Sequence, residues 1–310
     1  MNAFKRIFLL TILLYTATLV FSQNGRAAEN FTSTEVADDI YVVTGPAGNT
    51  MVAADEDGLI LVDGVPAQYA DEYLAFVEDV TGIEHVKTLI LSHWHPEVTG
   101  LNAILGPQGV EIIAHENTRQ WLGTTIRERG ETVVHSPMPD NTLPNRTFYW
   151  GELDVPFGND VIQVGYLLQS HTDGDIYAWV KGADVLYTGP VIRTDSWATV
   201  DETTNGFIGG ITDAYDALSR IVTEDTVVVP ASGSVIGKVE FEELNAMYTA
   251  LKADMVSLLR QSFGPDEVLE ANPAQGLKPQ WGDASAFLDE GFRSFYGHLR
   301  NGRQIGGGFP

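Results

Sequence analysis

Cysteine is missing from all 310 residues. The chain can form no disulfide, has no thiolate nucleophile and offers no sulfur ligand to a metal. A metal site must therefore be built from His, Asp or Glu. Basic residues are scarce: 18 Lys and Arg stand against 42 Asp and Glu, a formal charge of −24. A surface of that sign repels phosphate backbones and anionic headgroups, which argues against nucleic acid or anionic membrane as a partner. No apolar run reaches the ~20 residues of a membrane-spanning helix. The longest, Ile7 to Phe21, covers 15 positions. No internal repeat of roughly 20–50 residues is visible either, so a solenoid or propeller is not expected.

The 15-residue run follows Lys5 and Arg6 and gives way to small and polar residues. That layout is a secretory signal peptide, here residues 1–28, with cleavage expected after Ser22 or near Ala27-Ala28. Removing it takes Lys5, Arg6 and Arg26, leaving 15 basic against 42 acidic residues and a charge of −27. The expected location is periplasmic or secreted, with no stable membrane insertion after cleavage.

The remainder, 44% apolar over the whole chain with 31 Gly and 14 Pro, has the composition of one globular domain with an appended module. Between Val36 and Asp63, β-rich apolar runs are punctuated by Gly45-Pro46 and Asp57-Gly58, two turn signals. Tyr69, Leu74, Phe76 and Val77 then give an amphipathic helix ending near Gly82. "HVKTLIL" and "VEIIAH" read as strands, and "NTRQWLGTTIRERG" as a helix. A second group of strands is expected from about "TLPNRTF" onward. Phe241, Leu244, Met247, Leu251, Met255 and Leu258 fall at helical spacing and predict one long helix near the C-terminus. Strand and helix patterns alternate, which predicts an α/β layered fold.

Three loops that follow apolar strands carry the chemistry. "LSHWHPEV" holds His93 and His95, two residues apart, and "QSHTDGD" holds His171. Ligands at strand ends are held by a rigid sheet yet reach an open rim. Three histidines and a water form a known catalytic zinc arrangement. The third loop, "VVVPASGS", and the similar "VLYTGPV" have the same strand-then-loop form.

The order and context of these loops resemble the metallo-β-lactamase superfamily, whose signature is a His-x-His-x-Asp-His loop. The resemblance spans about residues 36–300, including the "LPNRTF" segment and the tail helix, which resemble exported, quinoprotein-associated members. It implies a four-layer αββα sandwich over residues 29–237 and a helical C-terminal extension over 238–310 packed on the core. It also implies that His93, His95 and His171 hold one metal ion, with Asp63 bracing their loop. At the second metal's positions this chain has Glu97 for Asp, Val98 for His, Pro190 for the bridging Asp and Ser232 for the last His. Valine and proline offer no side-chain ligand and serine a poor one, so one zinc ion per chain is expected. Glu97 is then the candidate general base or else a solvated carboxylate. Asp173 is a candidate for shaping the His171 loop from behind and the nearest substitute for a missing ligand.

His115 is expected to play a structural or supporting role, and His85, His135 and His298 to pack or face solvent. Trp94, Trp197 and Tyr187 are candidates for a pocket wall or for the core. Two functions follow. One is an exported hydrolase of small-molecule esters, thioesters, lactones or amides. The other is an inactive relative that binds a ligand or a protein partner in the periplasm.

Overall fold

The computed structural model describes residues 30–128 and 132–300; the expected signal peptide lies outside them. Two sheets carry the architecture. The first is built from β1 (Thr32–Ala37), β2 (Ile40–Gly45), β3 (Gly48–Asp55), β4 (Gly58–Val62), β5 (Val86–Ile90), β6 (Glu111–His115) and, later in the chain, Arg146–Phe148. The first four strands form an antiparallel meander, and β4, β5 and β6 then run parallel, with α1 (Ala70–Thr81) crossing between β4 and β5. All five residues of β4, "GLILV", are buried, as expected of a parallel strand covered on both faces.

Short helices α2 (Pro96–Thr99) and α3 (Asn102–Leu105) follow β5, and α4 (Glu116–Leu122) follows β6. The helix expected over "NTRQWLGTTIRERG" stops at Leu122. Gly123 ends it, and Ile126–Glu128 forms strand β7, paired with β8 (Thr132–His135). The β-branched pair Thr124-Thr125 after the glycine favours extended backbone, and cross-strand pairing completes the change. A second correction concerns Arg146–Phe148, β9, which pairs with β6 in the first sheet. The second sheet begins one strand later. It runs β10 (Glu152–Phe157), β11 (Asp160–Tyr166), β12 (Ile176–Val180), β13 (Val185–Tyr187) and β14 (Val227–Val229). Helix α5 (Ile208–Leu218) connects β13 to β14, and α6 (Lys238–Arg260), α7 (Pro265–Ala271) and α8 (Ser285–Arg300) end the described chain.

Alternation along the strands sorts side chains between layers. Val42, Met51, Ala53 and Ile60 meet Val155, Ile162, Val164 and Ala178 between the sheets. Val43, Val52, Leu59 and Leu61 face the other way, onto Tyr73, Phe76 and Val77 of α1. Leu186 and Val228 of the second sheet face Tyr215 of α5, Phe241, Leu244 and Tyr248 of α6, and Phe295 of α8. The result is a helix–sheet–sheet–helix sandwich whose outer C-terminal layer is helical.

Parallel β4 and β5 end at one rim of the first sheet. β11 turns into β12, and β13 and β14 end, at the matching rim of the second. Ile176 N–H stitches the two rims by donating to Ser92 O at 3.0 Å, and within the first rim Asp63 N–H donates to Ile90 O at 2.7 Å. The loop carrying His171 is held close against α5, because Gly210 brings its backbone onto Gln169. A Cβ there would lie 1.5 Å from the Gln169 carbonyl oxygen.

Candidate metal centre

His93 and His95 leave the end of β5, and His171 leaves the end of β11. One nitrogen from each ring lies within 4.8 Å of the other two. The opposite nitrogens identify which three these are. Ser92 Oγ lies 2.5 Å from Asp63 Oδ2 and 2.8 Å from His93 Nδ1. Its single proton goes to the carboxylate, so the hydroxyl accepts from His93 Nδ1–H and leaves the Nε2 lone pair free. His95 Nε2–H donates to Asp201 Oδ2 at 3.1 Å. His171 Nδ1–H donates to Thr199 O at 2.9 Å. The converging atoms are thus His93 Nε2, His95 Nδ1 and His171 Nε2. Holding the far nitrogen fixes tautomer and ring angle, the usual support of a metal-ligating imidazole.

His93 Nε2 is buried and has no hydrogen-bond partner. A buried nitrogen lone pair left unsatisfied costs about 1–3 kcal/mol, which a metal ion would offset. His171 Nε2 lies 3.0 Å from His95 Nδ1, so one ring must donate to the other. The donor is His95. Burial pushes its pKa down, but Asp201 and then Glu97 outweigh burial and raise it to about 9. Burial, then the neighbouring His95 and His93, hold His171 well below the ordinary histidine value. The proton on His95 Nδ1 is the one a metal ion would displace. The donor set is neutral imidazole nitrogen, and it fits one divalent ion.

Glu97 reaches the same point, with Oε1 3.3 Å from His95 Nδ1 and 3.8 Å from His93 Nε2. Burial raises its carboxyl, but the two rings more than reverse this and hold it far below the usual range. Burial likewise pushes the Asp63 carboxyl up. Three donors nevertheless converge on it: Ser92 N–H at 2.6 Å, Ser92 Oγ–H and Tyr187 O–H at 2.8 Å. That is the geometry of an ionised acceptor. Asp63 has φ of 62°, a left-handed conformation that turns the chain back along β5 and aims the carboxylate at Ser92.

Beside the cluster lies a cavity of about 60 Å³, lined by His93, Glu97, Val98, His171, Pro190 and Arg193, among others. It has room for roughly four water molecules. Val98 and Pro190 are among its lining residues, and their side chains offer only carbon. Ser232 does not line it: its hydroxyl donates to Asp195 Oδ1 at 2.6 Å. On the far side of His95 an open groove of about 440 Å³ runs between Trp94, Asp201 and two residues of α8, Glu290 and Arg293.

Other candidates stand apart. Asp173 accepts from Trp121 Nε1–H at 2.6 Å and Asn205 Nδ2–H at 2.7 Å, and so braces the His171 loop without joining the three nitrogens. His115 caps α4, accepting from Asn117 N–H, and stacks on Tyr166. His135 donates to Leu122 O and meets the Trp94 ring edge-on, His298 stacks on Phe207, and His85 lies at the opposite end of β5. Trp197 stacks on Phe287 within the helical layer, whereas Tyr187 lines the cavity. Sequence reasoning missed Asp201, Thr199 and Ser92. The first lies 106 residues from the ring it orients, in a loop whose one local signal is its Asp-x-Thr cap.

A comparison with curated proteins finds no match. Solved structures share the fold. The structure titled "Crystal Structure of DIM-1 metallo-beta-lactamase" aligns with a TM-score of 0.55 at 18% identity, over 71% of this chain and 97% of that one. A metallo-beta-lactamase from Pontibacter korlensis aligns with a TM-score of 0.58 at 15% identity, over 71% and 99%. TMB-1 aligns with a TM-score of 0.55 at 15% identity, over 72% and 98%. A family model described as "Metallo-beta-lactamase superfamily" matches residues 43–233, more than half the sequence. That span carries every strand end and loop of the centre, and the chain belongs to the metallo-beta-lactamase superfamily.

Proposed function

We propose that this protein is a hydrolase that uses one zinc ion held by His93 Nε2, His95 Nδ1 and His171 Nε2 to cleave a small ester, thioester, lactone or amide. The observation that carries the reading is the buried, unpartnered Nε2 of His93 beside two further nitrogens whose opposite ring atoms are tied down. Zinc at such a site supplies Lewis acidity and lowers the pKa of a water toward neutral.

The protein's own groups do the rest. Asp63 acts through Ser92 to hold His93, Asp201 holds His95, and the Thr199 carbonyl holds His171. Glu97, half-exposed at the mouth of the cavity, takes the proton from the attacking water and returns it to the leaving group. Val98 and Pro190 keep a second ion out. Asp173 keeps the His171 loop in place through Trp121 and Asn205.

The protein works in the periplasm or outside the cell after removal of residues 1–28. Residues 29–237 form the catalytic domain and 238–310 an extension packed on it. Among the described residues no helix is long and apolar enough to cross a membrane.

The test is metal content by elemental mass spectrometry on untagged mature protein beside His93→Ala, followed by a panel of esters, thioesters, lactones and amides. One zinc per chain, lost in the variant, with turnover that chelator abolishes and zinc restores, supports the reading. Zinc without turnover of any substrate would instead support a ligand-binding relative that has lost the chemistry. No zinc would refute the site itself.

A further inference from the structure

Two of the three histidines are backed by a carboxylate. His93 reaches Asp63 through Ser92 Oγ, and His95 reaches Asp201 directly. His171 ends on backbone instead: its Nδ1–H donates to Thr199 O at 2.9 Å. A neutral carbonyl is a weaker partner than a carboxylate for a ring that offers its other nitrogen to a cation. The other edge of the same peptide unit changes this. The N–H that shares the plane of the Thr199 carbonyl is that of Val200, and it donates to Glu290 Oε2 at 3.3 Å. Glu290 stands on α8, beyond the residues 43–233 that the family model matches.

A peptide unit is planar, with its C=O and N–H pointing opposite ways, so neither can turn without the other. A carboxylate on the N–H therefore fixes the direction of the carbonyl. It also polarises the unit, and the carbonyl draws harder on the imidazole proton. The geometry runs from the Glu290 carboxylate through one peptide to His171 Nδ1. Burial pushes the Glu290 carboxyl up, and the Val200 N–H opposes that push. The loop is tied to the extension on both sides of this plane. Ala198 N–H donates to Tyr248 Oη of α6 at 3.0 Å, and Ile208 N–H to Ser294 Oγ of α8 at 3.0 Å. Phe295, next to Ser294, is fully buried and seats α8 in the helical layer.

We infer that Glu290 is a positioning residue of the metal centre that holds His171 through the Thr199–Val200 peptide, so that every histidine of the trio is backed by a carboxylate and the C-terminal extension supplies the third. The inference rests on the metal site of the proposed function, not on the hydrolysis.

Zinc affinity by chelator competition, and the visible spectrum of the cobalt(II)-loaded protein, are compared in wild type, Glu290→Leu, Glu290→Gln and Tyr248→Phe. Glu290→Leu is expected to bind zinc about tenfold more weakly, with shifted cobalt bands. Glu290→Gln keeps an oxygen for the Val200 N–H and should recover to within about threefold of wild type. Tyr248→Phe frees the neighbouring Ala198 N–H but leaves the Glu290 bond in place. It should lower the urea midpoint with zinc affinity and cobalt spectrum unchanged. Wild-type zinc affinity in Glu290→Leu overturns the inference. An equal loss in Tyr248→Phe overturns it too, because any loosening of the loop would then suffice. A metal-free measurement separates it from the proposed function. The His171 Nδ1–H proton resonance, identified by its absence from His171→Gln, should move upfield in Glu290→Leu and exchange with water about tenfold faster. If wild type takes up no zinc, the metal site falls and this resonance alone decides, an unchanged one overturning the role of Glu290. Zinc bound by wild type and equally by Glu290→Leu keeps the metal site and removes Glu290 from it.

Discussion

Asp201→Asn tests the support of the metal centre through two opposing effects that pH separates. Asp201 receives His95 Nε2–H at 3.1 Å, Thr204 Oγ–H at 2.7 Å and, through its other oxygen, Thr203 N–H at 2.9 Å. An asparagine that keeps its carbonyl on Thr203 must point its NH2 at His95. The imidazole then accepts at Nε2 and carries its proton on Nδ1, the nitrogen that faces the other two rings. That is the wrong tautomer for ligation, and loss of such a supporting carboxylate weakens metal binding about 10–100-fold. The carboxylate has a second effect with the opposite sign. It raises His95 to about 9, so below that pH an incoming ion must displace a proton from wild type. At pH 7 that competition weakens zinc binding by about two powers of ten, or about 2.7 kcal/mol. Asp201→Asn removes one of the two carboxylates that raise His95, so its pKa falls and part of this handicap goes, while Glu97 keeps the rest.

The two variants should therefore differ by about 10–100-fold in zinc affinity at pH 9.5 and converge by roughly tenfold per pH unit below 9. Competition with a chelator of known affinity across pH 6.5–9.5 measures it. In wild type the affinity should climb about tenfold per unit up to pH 9, with one proton released per zinc. A variant-to-wild-type ratio that stays constant with pH would refute the reasoning, and so would equal affinity at pH 9.5. The metal-free protein gives the same sign. A His95 pKa raised from 6.5 to about 9 contributes stability that is present in full below 6.5 and lost as pH rises through 9. The loss is about 3 kcal/mol, read as a falling urea midpoint.

Further variants probe single links. Glu97→Gln should lower kcat by about 100-fold or more with zinc content unchanged, by stopped assay and elemental analysis; a threefold effect would remove Glu97 as the base. Tyr187→Phe deletes a buried hydroxyl shared by Asp63 Oδ2 and Asn49 O, both at 2.8 Å. It should cost about 1–3 kcal/mol in urea unfolding. Gly210→Ala drives a methyl onto the Gln169 carbonyl and forces α5 away from the His171 loop. A loss of about 3 kcal/mol is expected, with weakened zinc binding, and unaltered unfolding would mean the loop yields more easily than its contacts imply. Asp173→Asn should leave zinc affinity within about threefold, because it keeps the Trp121 bond and touches no histidine.

The layered fold could be read from the sequence because burial imposes period. Ile60 and Leu61 look to opposite sides of one sheet, and Phe241, Leu244, Leu251 and Met255 share one face of α6. Where pairing overrides local preference the reading failed. The residues after Gly123 look like a continued helix until Thr132–His135 supplies a partner strand. The same boundary divides the site. His93 and His95 declare themselves by spacing and by the strand that delivers them. Asp173 attracts notice because it is two residues from His171, yet its carboxylate turns to Trp121 and Asn205. Asp201 does the orienting from a loop with no metal-binding motif, and only the docking of that loop on the His171 loop, where Asp201 N–H donates to His171 O, brings it to His95.

The lost ligands show the same asymmetry between what disappears and what takes its place. Val98 and Pro190 offer by residue type alone no side-chain donor, and the structure puts both on the cavity wall. Ser232 leaves the question open, since a hydroxyl can ligate weakly; its bond to Asp195 is what removes it. No pattern in "GPVIRTDSW" says that Arg193 enters beside the histidines, because the position is decided by a bridge to a residue 39 places further on.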